Sequence, residues 1–296
     1  MQLIAYILIY PFLYLISILP FRLLYMLSDF VFVMVFYVFG YRRKVVRNNL
    51  ELVFPNKSKT EIKVIEKKFY KHMCDMFLEM IKSLTISDKQ LQKRFVFKNN
   101  EELERLESLN KSVIVIYGHY ASYEWSVVVG YFTKLKGLGI YKQIKNRYFD
   151  KLVKGIRSRY NITLIPTKQA INTITEYENQ GLKTITAFLS DQSPKLKKAH
   201  YWLDFMGVKV PSFTGAEMLA KRLDMSVTFL KIDKVKRGHY EAEYVSLADN
   251  AREYKDFEIT DKFTKILEKQ IEKAPEYYLW THKRWKHRNA VPKEFQ

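Results

Sequence analysis

Cysteine is almost missing. Cys74 is the single one in 296 residues, which excludes an intramolecular disulfide and any multi-cysteine metal site. It lies among apolar residues at helical spacing (Phe69, Met73, Met76, Phe77, Met80) and reads as a buried structural thiol rather than a nucleophile. The absence of disulfides fits a reducing compartment. Glycine and proline are sparse, at 10 and 8. No linker, low-complexity tract or solenoid-period repeat breaks the chain, which predicts one large domain with an N-terminal appendage. Acidic residues are outnumbered, 31 against 50 Lys and Arg, for a net charge of +19. Such an excess calls for a polyanionic partner: nucleic acid, an anionic membrane surface or an acidic carrier protein. RNP, KH and zinc-knuckle patterns are absent, which argues against nucleic acid. His200, His239, His282 and His287 sit in basic or aromatic surroundings without ligand spacing, so no metal is expected.

Charge is also nearly absent from residues 1–41, which carry only Arg22 and Asp29. Met1 to Pro20 is about long enough to cross ~30 Å of hydrocarbon, with Pro11 and Pro20 expected to kink or end it. Leu23 to Gly40 is nearly as apolar but contains Asp29, costly at mid-bilayer unless paired. No basic n-region or small-x-small site marks a cleaved signal peptide. The pattern predicts an uncleaved anchor over 1–41, the first helix spanning or deeply inserted and the second lying along the interface or the protein body. Tyr41-Arg-Arg-Lys-Val-Val-Arg47 follows at once, and the positive-inside rule puts it, with residues 42–296, on the cytoplasmic side.

The chemistry concentrates in Ile114-Val-Ile-Tyr-Gly-His-Tyr-Ala-Ser-Tyr-Glu-Trp125. Ser112 to Tyr117 reads as a buried strand. Gly118 breaks it, His119 stands at its end, and an apolar helix is expected from Trp125 to Tyr131 with Ser122 as N-cap. His119 and Glu124 are five residues apart across this turn, close enough for the carboxylate to meet one imidazole nitrogen. The other nitrogen then faces the crevice beyond the strand end, where α/β sheets bind ligands. Histidine titrates near neutrality and a carboxylate partner fixes its tautomer, the requirements of a general base. An isolated H-x4-E pair is also what a helix-capping histidine beside a surface glutamate looks like.

Around this stretch, Ser58 opens an amphipathic helix over 58–83, and another is expected at Glu101 to Leu109. Helices near 124–133, 146–160, 167–179, 215–223 and 256–273 alternate with strands near 138–141, 163–165, 184–189, 226–233 and 239–246. That alternation predicts an α/β fold, and the hairpin around Arg237-Gly238 makes its central sheet mixed and flanked by helices. Arg157 and Arg159 end a basic helix whose residues 147, 150, 154 and 157 share a face and could form an ion-pair ladder. Asp191-Gln192 lies at another strand end, where Asp191 could pair with Arg157, orient an acceptor, or serve as a plain turn residue before Pro194. Trp280-Thr-His-Lys-Arg-Trp-Lys-His-Arg288 suits an interfacial surface or a helix covering the core.

Gly118-His119-Tyr-Ala-Ser-Tyr-Glu124-Trp125 resembles the H-x4-D/E block of glycerolipid-type acyltransferases, in the Glu-Trp form of the lipid A late acyltransferases (the lauroyl/myristoyl branch). Further blocks agree in order: Tyr41 to Leu50 with Phe54-Pro55, Lys145 to Asp150 leading to Arg157-Ser-Arg159, Ser190-Asp-Gln-Ser-Pro194, Phe205-Met-Gly207, and Pro275 to Lys286. The resemblance implies a glycerolipid acyltransferase-like fold and transfer of an acyl chain from acyl carrier protein or coenzyme A, as co-substrate, to a hydroxyl of a lipid A precursor. It implies catalytic roles for His119 and Glu124, and substrate contacts for Arg157, Asp191 and Asn146, the last at an Asn-Arg step where many relatives carry Asn-Pro. It implies no cofactor, and an inner-membrane location.

Overall fold

The computed structural model describes residues 1–295. Its chain opens with α1 (Gln2–Ile18) and α2 (Phe21–Val33), the latter continued by a π-helical turn, Met34–Val38. Helices α3 (Arg43–Val53), α4 (Lys59–Lys82) and α5 (Asp88–Arg94) follow, then β1 (Phe95–Phe97), α6 (Asn100–Ser108) and β2 (Val113–Tyr117). Next come β3 (Lys136–Tyr141), α7 (Arg147–Ser158), β4 (Ile162–Pro166), α8 (Ala170–Asn179) and β5 (Thr184–Leu189). A small hairpin of β6 (Trp202–Phe205) and β7 (Val208–Pro211) precedes α9 (Gly215–Leu223), β8 (Ser226–Lys236), β9 (His239–Ala248) and α10 (Glu258–Lys273).

Seven strands among the described residues form one sheet in the order β1-β9-β8-β2-β5-β3-β4. Every neighbouring pair is parallel except β8 and β9. The sheet is therefore mixed and flanked by helices, as the alternating pattern predicts. All five residues of β2 are buried, as a central parallel strand covered on both faces must be. Ser58 caps α4 in a full capping box: its hydroxyl accepts from Glu61 N–H while the Glu61 carboxylate accepts from Ser58 N–H. Cys74 is buried in α4, and burial pushes its thiol up to about 12, which keeps it protonated and unreactive.

Pro20 ends α1, as expected, by holding Leu19 in extended backbone at ψ 137°, while the helix runs through Pro11. One local expectation fails. The stretch after His119 is a 3₁₀ helix, Tyr123–Tyr131, and the Ser122 side chain does not cap it. Ala121 turns the chain there at φ +49°, a left-handed conformation that starts the helix in a different direction from a Ser-capped turn. Tyr277 O holds the strained turn by accepting from Ala121 N–H at 3.0 Å.

The apolar helices lie against the body. Lys82 Nζ donates to Ser17 O and Leu19 O at 2.7 and 2.8 Å, pinning the corner between α1 and α2. Leu24, Ser28 and Phe32 turn the inner face of α2 into the core, while Phe12, Leu15, Met26 and Phe30 remain more than half exposed. Phe21–Val38 is long and apolar enough, by length and composition, to cross a membrane. Asp29 finds its partner in Arg237, at the tip of the β8–β9 hairpin, 2.8 Å away. The same guanidinium binds Asp75 of α4 at 2.6 Å, and Ser28 Oγ donates to that carboxylate at 2.7 Å. Gly238 shapes the hairpin tip at φ +70°, and a Cβ there would stand 1.8 Å from the Tyr25 hydroxyl. Arg237→Ala leaves the buried Asp75 with a more distant cation, Lys234 at 3.6 Å. That loss is expected to cost about 2–3 kcal/mol of unfolding free energy, read by denaturant titration; an unchanged midpoint would show that Arg237 does not hold α2 down.

Candidate active site

β2 and β5 are parallel neighbours with Tyr117 opposite Leu189. His119 and Asp191 each lie two residues further on, so both side chains leave the sheet together at its carboxyl edge. His119 Nδ1 meets Asp191 Oδ1 at 2.6 Å, with the carboxylate almost wholly buried. Gly118 permits the approach of α10 behind this corner: a Cβ there would lie 2.8 Å from Leu267 Cδ1.

The electrostatics of the pair reinforce one another. Burial alone would raise the Asp191 pKa, but the His119 charge and hydrogen bond, together with the backbone N–H groups of His119 and Asp191, hold it below the usual carboxylate range. Burial alone would lower His119, but the Asp191 charge and hydrogen bond, and more weakly the Glu124 charge, raise it above its ordinary 6.5. An ionised Asp191 accepts Nδ1–H, which assigns the lone pair to Nε2. The Gln192 side-chain amide donates to that nitrogen at 3.1 Å. The Tyr123 ring packs edge-on against the imidazole at 4.9 Å.

The expected meeting of Glu124 with His119 does not occur. Glu124 leaves the 3₁₀ turn on the other side and binds Arg157 Nη2 at 2.6 Å. The left-handed Ala121 and the tighter 3₁₀ path send its carboxylate toward α7 rather than back over the strand end. Arg157 consequently pairs with Glu124 and not with Asp191. The ladder on α7 reduces to one rung, Lys154 to Asp150 at 3.2 Å. Asn146 caps α7, its side-chain oxygen accepting from the N–H groups of Tyr148 and Phe149 at 3.0 and 3.4 Å, while its amide donates to Gln2 O. These bonds engage its oxygen and leave one amide N–H free. Arg159 clamps the carbonyls of Ser83 and Ile86 and the Asp88 carboxylate, away from the histidine.

The segment after α10 packs beneath the pair, a placement its basic and aromatic composition did not indicate. Tyr278 forms an isolated bridge with Tyr120, Leu279 N–H donates to His119 O at 3.0 Å, and the Tyr278 hydroxyl faces Asp191. His282 Nε2 accepts from Ser193 N–H, and burial pushes that imidazole down to about 4, so it stays neutral. Arg284, 2% exposed, donates to Pro211 O at 2.8 Å. Trp280 and Trp285 are buried and stacked, 5.8 Å apart. This stretch is not a helix but a run of turns whose buried residues buttress the His119–Asp191 corner, while Lys283, Lys286 and Arg288 stay exposed. The signal was its unusual density of Trp and Tyr, which fits a buried turn as well as a membrane surface. Among the described residues no three His, Cys, Asp or Glu side chains converge on a metal-sized site.

An apolar cleft opens near the pair, its lining reaching Tyr117 and Leu189, each two residues short of His119 and Asp191, and Tyr123, which packs on the imidazole. Its walls include Val115 and Tyr117, Leu138 and Ile140, and Ile162 and Leu164. These are i and i+2 residues, which share one face of a sheet. Tyr123, Glu124 and Arg157 supply its polar border.

The site thus combines a histidine–carboxylate pair at two strand ends with a mostly apolar cleft on the adjoining sheet face. The chain belongs to the bacterial lipid A biosynthesis acyltransferase family, whose model matches residues 2–287, and it is an acyltransferase. It is similar to the lipid A biosynthesis palmitoleoyltransferase of Escherichia coli (strain K12), 23% identical over 250 residues, spanning 83% of this chain and 79% of that one. The same figures hold for the lipid A biosynthesis acyltransferase of Shigella flexneri.

Proposed function

We propose that this enzyme moves a fatty acyl chain from an acyl carrier protein thioester to a hydroxyl of a lipid A precursor, with His119 as general base and Asp191 as the carboxylate that orients it. The observation carrying this reading is the 2.6 Å His119–Asp191 contact beside an apolar cleft. His119 Nε2 takes the proton of the acceptor hydroxyl as its oxygen attacks the thioester carbonyl. Asp191 stabilises the imidazolium. The C–O bond forms and the C–S bond breaks. The imidazolium returns its proton to the departing sulfur, so no covalent acyl-enzyme is needed. Once the acceptor hydroxyl takes its place against Nε2, the displaced Gln192 amide is free to donate to the oxyanion. The cleft on the sheet holds the donor's acyl chain. Glu124 acts at a distance, adding negative charge near the imidazolium and holding Arg157 at the cleft border.

Residues 1–41 supply the membrane contact. The outer faces of α1 and α2 place Leu8, Phe12, Leu15, Met26 and Phe30 in solvent, where they fit the acyl region of a bilayer surface. Arg22, Arg42 and Lys44 flank them and suit anionic headgroups on the cytoplasmic face of the inner membrane. The net charge of +19 serves an acidic carrier protein and phosphorylated lipid equally. Replacing Phe12, Leu15 and Phe30 together by glutamate is expected to move the protein from the vesicle pellet to the supernatant without altering its circular dichroism. Persistence in the pellet would show that other surfaces bind the membrane.

The reaction is tested by incubating the full chain in lipid nanodiscs with acyl carrier protein thioester and either a lipid A precursor or a lysophospholipid, followed by mass spectrometry. The expected result is a one-acyl mass gain on the lipid A precursor. A gain on the lysophospholipid alone would overturn the acceptor, and no gain on either would overturn the reaction.

A further inference from the structure

A second, smaller apolar pocket adjoins the Glu124–Arg157 ion pair. Met80 and Ser83 of α4 and its C-cap wall one side, and Val153 and Ile156 of α7 the other, with Tyr160 beyond. It shares Glu124, Val127 and Arg157 with the cleft on the sheet, so these three residues partition two apolar spaces that meet one residue from Tyr123, the neighbour of His119. Ser83 and Tyr160 are the other polar residues of its lining besides the ion pair. Ser83 Oγ is already engaged, accepting from Trp125 Nε1 at 3.0 Å and donating to Glu79 O. Tyr160 is 1% exposed, and its hydroxyl has no hydrogen-bond partner among the described residues. A buried phenol left unpaired is a donor waiting for an acceptor.

The position of the cavity points to its occupant. α4 and α7, which wall it, are the helices on which α1 packs, with Tyr6 of α1 against Tyr148 and Phe149 of α7 at 5.7 and 5.3 Å. The far side of α1 is the exposed apolar face. This cavity therefore lies on the side of the molecule that faces lipid, whereas the first is built on the sheet. Acyl transfer between two lipidic substrates needs two hydrocarbon chains to approach one catalytic nitrogen from different directions. Resting on the function proposed above, we propose that the cavity between α4 and α7 receives a hydrocarbon chain of the acceptor lipid, an oxygen on that chain accepting from the Tyr160 hydroxyl, while the sheet cleft receives the donor chain. Glu124 and Arg157 separate the chains, which gives the ion pair a role in keeping the substrates apart.

The test uses the full chain in nanodiscs and two substitutions that fill one cavity each, Val153→Phe and Leu138→Phe. Steady-state kinetics with both substrates is joined to photolabelling by a diazirine-bearing tetradecan-1-ol, mapped by peptide mass spectrometry. Wild type is expected to be labelled both in peptides carrying Met80, Val153 or Ile156 and in those carrying Leu138 or Ile140. Val153→Phe is expected to lose the first set and to raise the acceptor KM by roughly tenfold, with donor KM and donor chain preference unchanged. Leu138→Phe should do the converse. No labelling of the first set in wild type, or a Val153→Phe variant that alters donor preference and spares the acceptor, would overturn the proposal. If wild type moves no acyl chain, the reaction assigned above fails on its own, and the labelling pattern still decides whether this cavity holds a chain.

Discussion

His119→Ala should lower acyl transfer by at least about three orders of magnitude while leaving the protein folded and membrane-bound. The imidazole is the group placed to take the acceptor proton, and its nearest potential substitute, His282, is held neutral as an acceptor for Ser193 N–H. Truncation leaves the buried Asp191 without its imidazole partner, but backbone contacts, including Leu279 N–H to His119 O, still secure the end of β2. Truncation therefore removes the base without removing its support. The measurement is initial rate by mass spectrometry, paired with vesicle co-sedimentation. A rate within tenfold of wild type would remove His119 as the base.

Asp191→Asn should cost about 10³–10⁴-fold in kcat with small changes in KM. The substitution is nearly isosteric, but the asparagine amide can donate to Nδ1. Such a bond favours the tautomer with the proton on Nε2, the nitrogen that must accept the substrate proton. The imidazolium formed during attack would also lose its buried counter-charge. Glu124→Gln should be far milder, because a glutamine oxygen still accepts from Arg157 and the His119–Asp191 bond is untouched. A larger defect in Glu124→Gln than in Asp191→Asn would reverse the assignment of the two carboxylates.

Local features of the fold were legible because local physics decides them. The capping box at Ser58 and Glu61, the apolar run ending at Tyr117, and the turn at Arg237-Gly238 each depend on a few adjacent residues. The partner of His119 was not legible for the opposite reason. Asp191 reaches it only because β5 lies beside β2 with Leu189 opposite Tyr117, and strand adjacency is settled by packing across 72 residues of chain. Both residues stood at strand ends in the sequence reading, but spacing along the chain favoured Glu124, five residues away. The β6–β7 hairpin escaped notice because its strands have four residues each and its turn residues, Met206 and Gly207, both adopt positive φ. The segment from Tyr278 to Trp285 misled through composition: tryptophan beside lysine and arginine describes a membrane surface and, equally, a buried turn whose cations reach carbonyls.

The pH dependence of kcat/KM in wild type, Asp191→Asn and Glu124→Gln tests most directly whether Asp191 is the carboxylate that holds the base. The base must be neutral, so activity rises with pH through the His119 pKa. Asp191 raises that pKa above 6.5, placing the acid limb of wild type above that value. Asp191→Asn removes the main charge and hydrogen bond that raise it, and its residual activity should carry the limb to lower pH. Glu124 adds only a more distant charge, so Glu124→Gln should move the limb little. A limb unmoved in Asp191→Asn but displaced in Glu124→Gln would contradict the account and return the imidazole to Glu124.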